Sequence, residues 1–316
     1  MADDEGAPRF LDPLLAWRYA RAIVKPARFE YFDPRGVDEA LELLGRHGDG
    51  AKLLAGGQSL VPLMNMRLAR PTHLIDLNRI ASLAYITEAA GGVRIGAMTR
   101  QATAEASDLI RGRYPLLADA LALLGHPVIR NRGTVGGSLA HADPAAELPA
   151  VVLALDARLV LAGPRGRRTV PARDFFVGYL QTVAASDEIL AEIALPAPPA
   201  RTGSSFLEVA RRHGDFALVA VAAVLTLDAD GRCASARLAF GGVAPTPARV
   251  ERAEAVLVGQ RPAPELFAAA AREVGAALRP ESDLHASADY RREVGLALTR
   301  RALGLAPERA SRSARA

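Results

Sequence analysis

Val37, Ala40, Leu41 and Leu44 recur every three or four residues, the spacing of one helix face, and Gly48 to Gly50 then stops the pattern. A short apolar run, Lys52 to Ala55, predicts a strand that leads straight into Gly56-Gly57. Strands are expected over 72–77 and 93–98, and helices over 101–110 and 115–124, before a second glycine-bearing stretch at Gly136-Gly137. Residues 145–155 predict a helix behind Asp143-Pro144, followed by strands at 158–162 and 189–195. Pro196-Ala197-Pro198-Pro199 cannot continue regular structure and marks the main domain boundary. Beyond it, 205–210, 217–227 and 234–240 read as strands of one sheet, although the alanine-rich middle run also suits a helix. Two amphipathic helices, 264–278 and 287–303, come last, with Tyr290, Val294 and Leu298 on one stripe of the second. Strands followed by helices imply an α+β unit, and no internal repeat is evident.

A chain of 316 residues, half of them hydrophobic, is long enough for two or three domains with sizeable cores. Its single cysteine, Cys233, rules out an intrachain disulfide and a cysteine-held iron–sulfur or zinc site within the chain. Cys233 is expected in a turn, as an ordinary thiol. The longest apolar run, Phe216 to Leu227, is shorter than a membrane span. The start, Met1-Ala2-Asp3-Asp4-Glu5, is acidic where a secretory signal is basic, so a cytoplasmic protein is expected. The net charge of +4 invites a nucleic-acid reading, but the arginines sit among acids, and aromatics do not interleave with the short clusters at 165–168 and 309–315. No nucleic-acid partner is expected.

The chemistry gathers at Ala55-Gly56-Gly57-Gln58-Ser59 and Thr134-Val135-Gly136-Gly137-Ser138. Glycine accepts positive φ and lets backbone amides approach an anion that a Cβ would hold away. Neither a P-loop nor a strand-to-helix G-x-G-x-x-G is present, and neither serine lies in a G-x-S-x-G elbow. His126, His141 and His213 lie near these stretches but lack metal-ligand spacing, so they are expected as hydrogen-bonding neighbours and no metal site is assigned.

Lys52 to Pro62, with Arg67-Leu68-Ala69-Arg70-Pro71 and Leu74-Ile75-Asp76-Leu77 behind it, resembles the FAD subunit of molybdenum hydroxylases. Asn131 to Pro149 is similar to that family's second flavin loop, Arg211 to Ala217 to its flavin-facing segment, and Ala286 to Arg292 to the start of its last helix. The resemblance spans roughly residues 25–305. It implies an α+β fold: a two-part FAD-binding domain of the PCMH (vanillyl-alcohol-oxidase-like) type over 25–200, divided near residue 80, then a smaller C-terminal domain over 201–305 with an antiparallel sheet and helices. An extension (1–24) and a tail (306–316) flank these.

The resemblance also implies FAD contacts at Ala55, Gly56, Gly57, Gln58 and Ser59, at Leu124, Thr134, Gly136, Gly137 and Ser138, and at Glu147, Leu190 and Phe216. Glu147 would accept hydrogen bonds from ribityl or ribose hydroxyls, or else serve the helix dipole at a helix start. Phe216 stands where relatives place a tyrosine against the isoalloxazine, and Gln58 where some carry histidine. The implied role is electron transfer, from [2Fe–2S] clusters of a small subunit through FAD to an external acceptor. A large molybdenum-cofactor subunit would complete a heterotrimer, doubled to a dimer of heterotrimers. A stand-alone FAD-dependent oxidoreductase and a non-catalytic flavin-binding assembly protein are the alternatives.

Overall fold

A computed structural model describes residues 25–313, so the extension 1–24 and its expected short helix lie outside the described residues. The chain opens with β1 (Glu30–Phe32), α1 (Val37–His47), β2 (Ala51–Leu54), α2 (Leu60–Asn65) and β3 (His73–Asp76). The three strands form a parallel sheet in the order β1-β3-β2. Ala40 and Leu44 of the predicted helix face are buried on this sheet beside Ala51 and Ile75, with Val37 and Leu41 at the margin. The same cluster reaches Ala162, Ile189 and Ala191 of the next sheet, so the two halves of the N-terminal part share a core.

The second half contains β4 (Ile86–Ala89), β5 (Gly92–Gly96), α3 (Gln101–Ala106), α4 (Asp108–Arg113), α5 (Pro115–Leu123), α6 (Pro127–Arg130), α7 (Val135–His141) and α8 (Glu147–Ala154). It continues through β6 (Arg158–Gly163), β7 (Gly166–Pro171), the short hairpin β8 (Phe176–Gly178) and β9 (Gln181–Thr182), and β10 (Ile189–Pro196). Its five-stranded antiparallel sheet runs β4-β5-β10-β6-β7. The single helix expected over 101–110 is two. Ser107 leaves the helical conformation between them and its hydroxyl accepts the Ile110 amide at 3.4 Å, capping α4.

The C-terminal unit is the antiparallel sheet β11 (Thr202–Ala210), β12 (Ala217–Leu227), β13 (Cys233–Gly241) and β14 (Ala248–Arg249), backed by α9 (Glu251–Leu257), α10 (Pro264–Ala277) and α11 (Ala288–Ser313). The alanine-rich run is a strand buried on both faces. Ala220, Ala222 and Val224 pack towards the N-terminal part, while Val219, Val221, Ala223 and Leu225 pack under the helices. Burial on both faces removes the alternation that ordinarily identifies a strand.

Three expectations are corrected here. Cys233 begins β13, buried, rather than lying in a turn, and burial pushes its thiol up to about 11. On the predicted stripe of α11, Leu298 is buried and Val294 packs beside it, but Tyr290 is largely exposed. The last helix does not stop at residue 303: it runs to Ser313, and Ala306 and Ala310, assigned to the tail, are fully buried.

Candidate functional site

The first glycine stretch links the end of β2 to the start of α2, so its backbone emerges at the carboxyl edge of the parallel sheet. Gly57 takes φ 75°, a value that excludes most side chains. Gln58 donates from Nε2 to the Gly56 carbonyl at 3.0 Å, and the Val61 amide donates to Gly57 O at 3.1 Å, starting α2. The amides of Gly56, Gly57, Gln58 and Ser59 find no acceptor among the described residues. Gly57, Gln58 and Ser59 are half-buried and Gly56 is buried beside them, a row of unused donors of the kind that receives an anion.

The second stretch is built differently. Thr134 pairs with Arg100 in an isolated antiparallel bridge and caps α7, its hydroxyl accepting the Gly137 amide at 3.0 Å. The Val135 amide donates to Thr99 O at 2.9 Å, that of Gly136 to Ala97 O at 2.8 Å, and that of Ser138 to Thr134 O at 3.2 Å. The amides of Val135 to Ser138 are therefore engaged, and the Ser138 hydroxyl is left at the helix start. Gly136 lacks a Cβ because one would lie 2.7 Å from both the Cα and the carbonyl of Ala97. The glycine allows α7 to rest directly on the segment after β5.

Tertiary structure joins these two stretches. A Cβ on Gly56 would stand 2.5 Å from the Arg132 carbonyl, and one on Gly137 3.1 Å from Ala55 Cβ. Two residues that sequence reasoning missed hold them together: Asn78 donates to the Ala55 carbonyl at 2.9 Å, and Arg100 donates to Asn78 Oδ1 at 2.5 Å and to the Arg132 carbonyl. Burial, followed by the neighbouring Arg132, draws the Arg100 guanidinium below its usual range. No periodicity marks Asn78 or Arg100, because each acts on a carbonyl over 20 residues away in the chain.

Leu124 and Phe216 belong to a neighbouring group. Leu124, buried at the end of α5, has its carbonyl held by Arg130 at 3.0 Å. Just beyond it, the rings of His126 and His213 meet edge to face with centroids 6.1 Å apart, and Gly214, at φ 84°, lies against His126. This contact draws the β11–β12 turn, and with it Phe216, towards the α5–α6 connection. His141, the third histidine, closes α7 away from that pair. Phe216 is 56% exposed and lines a cavity of about 820 Å³ with Asp143, Tyr179, Arg211 and Leu218. A second cavity, about 880 Å³, adjoins Asn78 and Arg100 on the other side. Leu190 is buried in β10, beside a register irregularity in its pairing with β6.

Glu147 is the first residue of α8 and only 3% exposed. Burial pushes its carboxyl up to about 8, and the nearby Glu208 and Asp143 add to the shift. Glu208 on β11 is likewise pushed up by burial, to about 7. Among the described residues, no group of three or more histidine, cysteine, aspartate or glutamate side chains is placed to hold a metal, and no helix is long and apolar enough to cross a membrane.

The profile for the FAD-binding domain in molybdopterin dehydrogenase matches residues 27–198, and that for the CO dehydrogenase flavoprotein C-terminal domain matches residues 204–306. These two matched parts define an FAD-binding oxidoreductase component. The chain is 42% identical over 287 residues to the 6-hydroxypseudooxynicotine dehydrogenase complex subunit alpha of Paenarthrobacter nicotinovorans, covering 91% of this chain and 97% of that one. Among solved structures, carbon monoxide dehydrogenase from Hydrogenophaga pseudoflava superposes with a TM-score of 0.88 at 44% identity, covering 90% and 99% of the two chains. Quinoline 2-oxidoreductase from Pseudomonas putida 86 gives 0.86 at 36% identity, covering 92% and 99%. The chain belongs to the family of FAD-binding medium subunits of molybdenum hydroxylases. Relatives in this family are named as chains or subunits of larger enzymes.

Proposed function

We propose that this chain is the electron-transfer subunit of a heterotrimeric molybdenum hydroxylase, taking electrons from [2Fe–2S] clusters of a small partner and passing them through FAD to an external acceptor. The observation that carries the reading is the row of unused amides at Gly56, Gly57, Gln58 and Ser59, pinned by Asn78 and Arg100 against the start of α7. That donor set fits a pyrophosphate, whose charge amides and hydroxyls can compensate without a lysine. Bound there, FAD supplies a ring system that accepts electrons singly and releases them singly or in pairs.

The chain's own residues then divide the work. Ala55 to Ser59 provide the backbone donors, Thr134 fixes α7 so that Ser138 offers its hydroxyl, and Gly136 and Gly137 let α7 pack against Ala97 and Ala55 so that its start stays beside the first stretch. Leu124 and Leu190 supply apolar walls. Glu147 accepts from hydroxyls of the ligand, and Phe216 presents an aromatic ring that neither donates nor accepts a hydrogen bond. One buried cysteine cannot hold an iron–sulfur cluster, which supports assigning the clusters to a separate small subunit and the substrate chemistry to a large one, the whole doubled to a dimer of heterotrimers. The same reduced thiol supports a cytoplasmic setting.

The test is an absorption spectrum of the purified chain mixed with FAD, beside the variant Ser59→Asp. Aspartate caps helices as well as serine does, so α2 should survive while a carboxylate enters the anion cradle. Bound flavin in the wild type, and at least tenfold weaker binding in the variant, is the expected result. Equal binding by both would remove the cradle assignment. Co-expression with the partner subunits should return a single complex on size-exclusion chromatography, and turnover of substrate by this chain alone would overturn the subunit role.

A further inference from the structure

Glu208 lies in none of the motifs that mark the flavin site, yet it faces that site from the C-terminal unit. It stands on β11 opposite Ala220 of β12, which stands opposite Gly241 of β13. Residues in one cross-strand row present their side chains to the same face, and Ala220 lies with Phe206 and Ala222 in the core shared with the N-terminal part. At the end of the row, a Cβ on Gly241 would stand 3.3 Å from the Pro144 carbonyl and 3.5 Å from that of Ala146. The next residue in the chain is Glu147. A methyl and a hydrogen are all the row carries beside Glu208, which leaves little bulk between it and the start of α8, and Glu208 is near enough to raise the Glu147 carboxyl.

Besides a hydrogen bond from its own amide to Glu147, the two carboxyls have little else to answer them. Glu147 is 3% exposed, and Glu208 Oε2 is enclosed without a hydrogen-bond partner. The third acidic group on this side, Asp143, has one oxygen occupied by the Ala145 amide at 2.9 Å. Among the described residues, no cation acts on either glutamate.

We infer that Glu208 is a positioning residue of the flavin site: set against Glu147 across the boundary between the two units, it shares a proton with it, and FAD binding releases that proton. The inference rests on the proposed contact between Glu147 and the ligand. A buried carboxyl and a half-buried one with no cation between them resist ionising together, so they titrate as a pair. Hydroxyls that donate to Glu147 favour its ionised form, and the displaced proton goes to solvent. Burial raises both groups to near neutral pH, so the pair still holds a proton at pH 7, as this requires.

The test measures FAD affinity of the full-length chain between pH 5.5 and 9, with the number of protons released at pH 7 obtained by calorimetry in two buffers of different ionisation enthalpy. Affinity should rise with pH by up to about tenfold per unit and then level off, as release of one proton demands. Glu208→Gln should move the bend to lower pH by about one unit, since it removes a like charge, and should reduce proton release at pH 7. Glu208→Asp should return the bend towards the wild-type pH, and Glu147→Gln should abolish the pH dependence. A merely structural Glu208 would weaken binding equally at every pH. A wild type that binds no FAD sinks the flavin assignment itself. A wild type that binds FAD with flat affinity, or with a bend that Glu208→Gln leaves at the same pH, overturns the pairing and leaves the assignment standing. Urea unfolding of the apo chain adds a readout without ligand: Glu147→Gln and Glu208→Gln should be non-additive above pH 7, and additivity there would also overturn the pairing.

Discussion

Glu147 shows how one residue can serve a site and cost the fold stability. Its acid form is favoured inside the protein, whereas in the unfolded chain it titrates as an ordinary glutamate. The folded state therefore holds the extra proton between about pH 4.5 and 8, and stability present below that window is lost as pH rises through it. Glu208 adds to the same trend over a narrower range. Urea unfolding of the apo chain at pH 5.5 and 8.5 should show the loss, and Glu147→Gln should shrink it; an unchanged pH dependence would mean the carboxyl is better solvated than its burial indicates. The residue type and its place at a helix start were legible in the sequence. Its enclosure was not, because Glu208 stands 61 positions further along the chain, on another sheet.

At the scale of elements, the second glycine stretch is a capped helix start rather than an open loop. Thr134 holds the cap by a single side-chain bond, so Thr134→Val, nearly isosteric but without the acceptor, should lower stability by ~1 kcal/mol, read from the urea midpoint at unchanged slope. The effect should carry to FAD affinity, since α7 positions Ser138. Arg100 acts on both stretches, through Asn78 and the Arg132 carbonyl. Arg100→Met keeps the length of the side chain and removes the staple; FAD binding should weaken by about tenfold while the far-ultraviolet circular dichroism is retained, as loss of charge-assisted bonds to carbonyls implies. Helices α2 and α7 escaped sequence reasoning because glycines and a short apolar run give no helical period, and the start of α7 is fixed by the carbonyls of Thr99 and Ala97.

The whole molecule is tied together by its last helix. Ala306 and Ala310 are fully buried, Gly203 of β11 lies so close that a Cβ there would overlap the Ala306 carbonyl, and Arg309 pairs with Asp119 of α5 while donating to the Ser204 carbonyl at 2.9 Å. Residues 306–313 thus bridge the C-terminal sheet and the N-terminal part. Deleting 306–316 should lower the thermal midpoint by several degrees and loosen the two units together, since about 1 kcal/mol moves a chain of this size by a few degrees. Scanning calorimetry that shows an unchanged transition would mean that the helix end contributes nothing to the union.

The sequence by itself determined the chemical vocabulary: two glycine stretches with hydroxyls and no lysine, a single cysteine, and four ordered segments that resemble one family. It also determined most long elements, because a helix face or a bounded apolar run is a local pattern that burial on one side imposes. Only the tertiary structure decided which donors are free, since an amide's partner is set by the chain that packs over it. Those of Gly56 to Ser59 are left open, while those of Val135 to Ser138 are taken by Thr99, Ala97 and Thr134. It likewise decided that Asn78 and Arg100 hold the two stretches together, because hydrogen bonds act across space between residues that the chain keeps far apart.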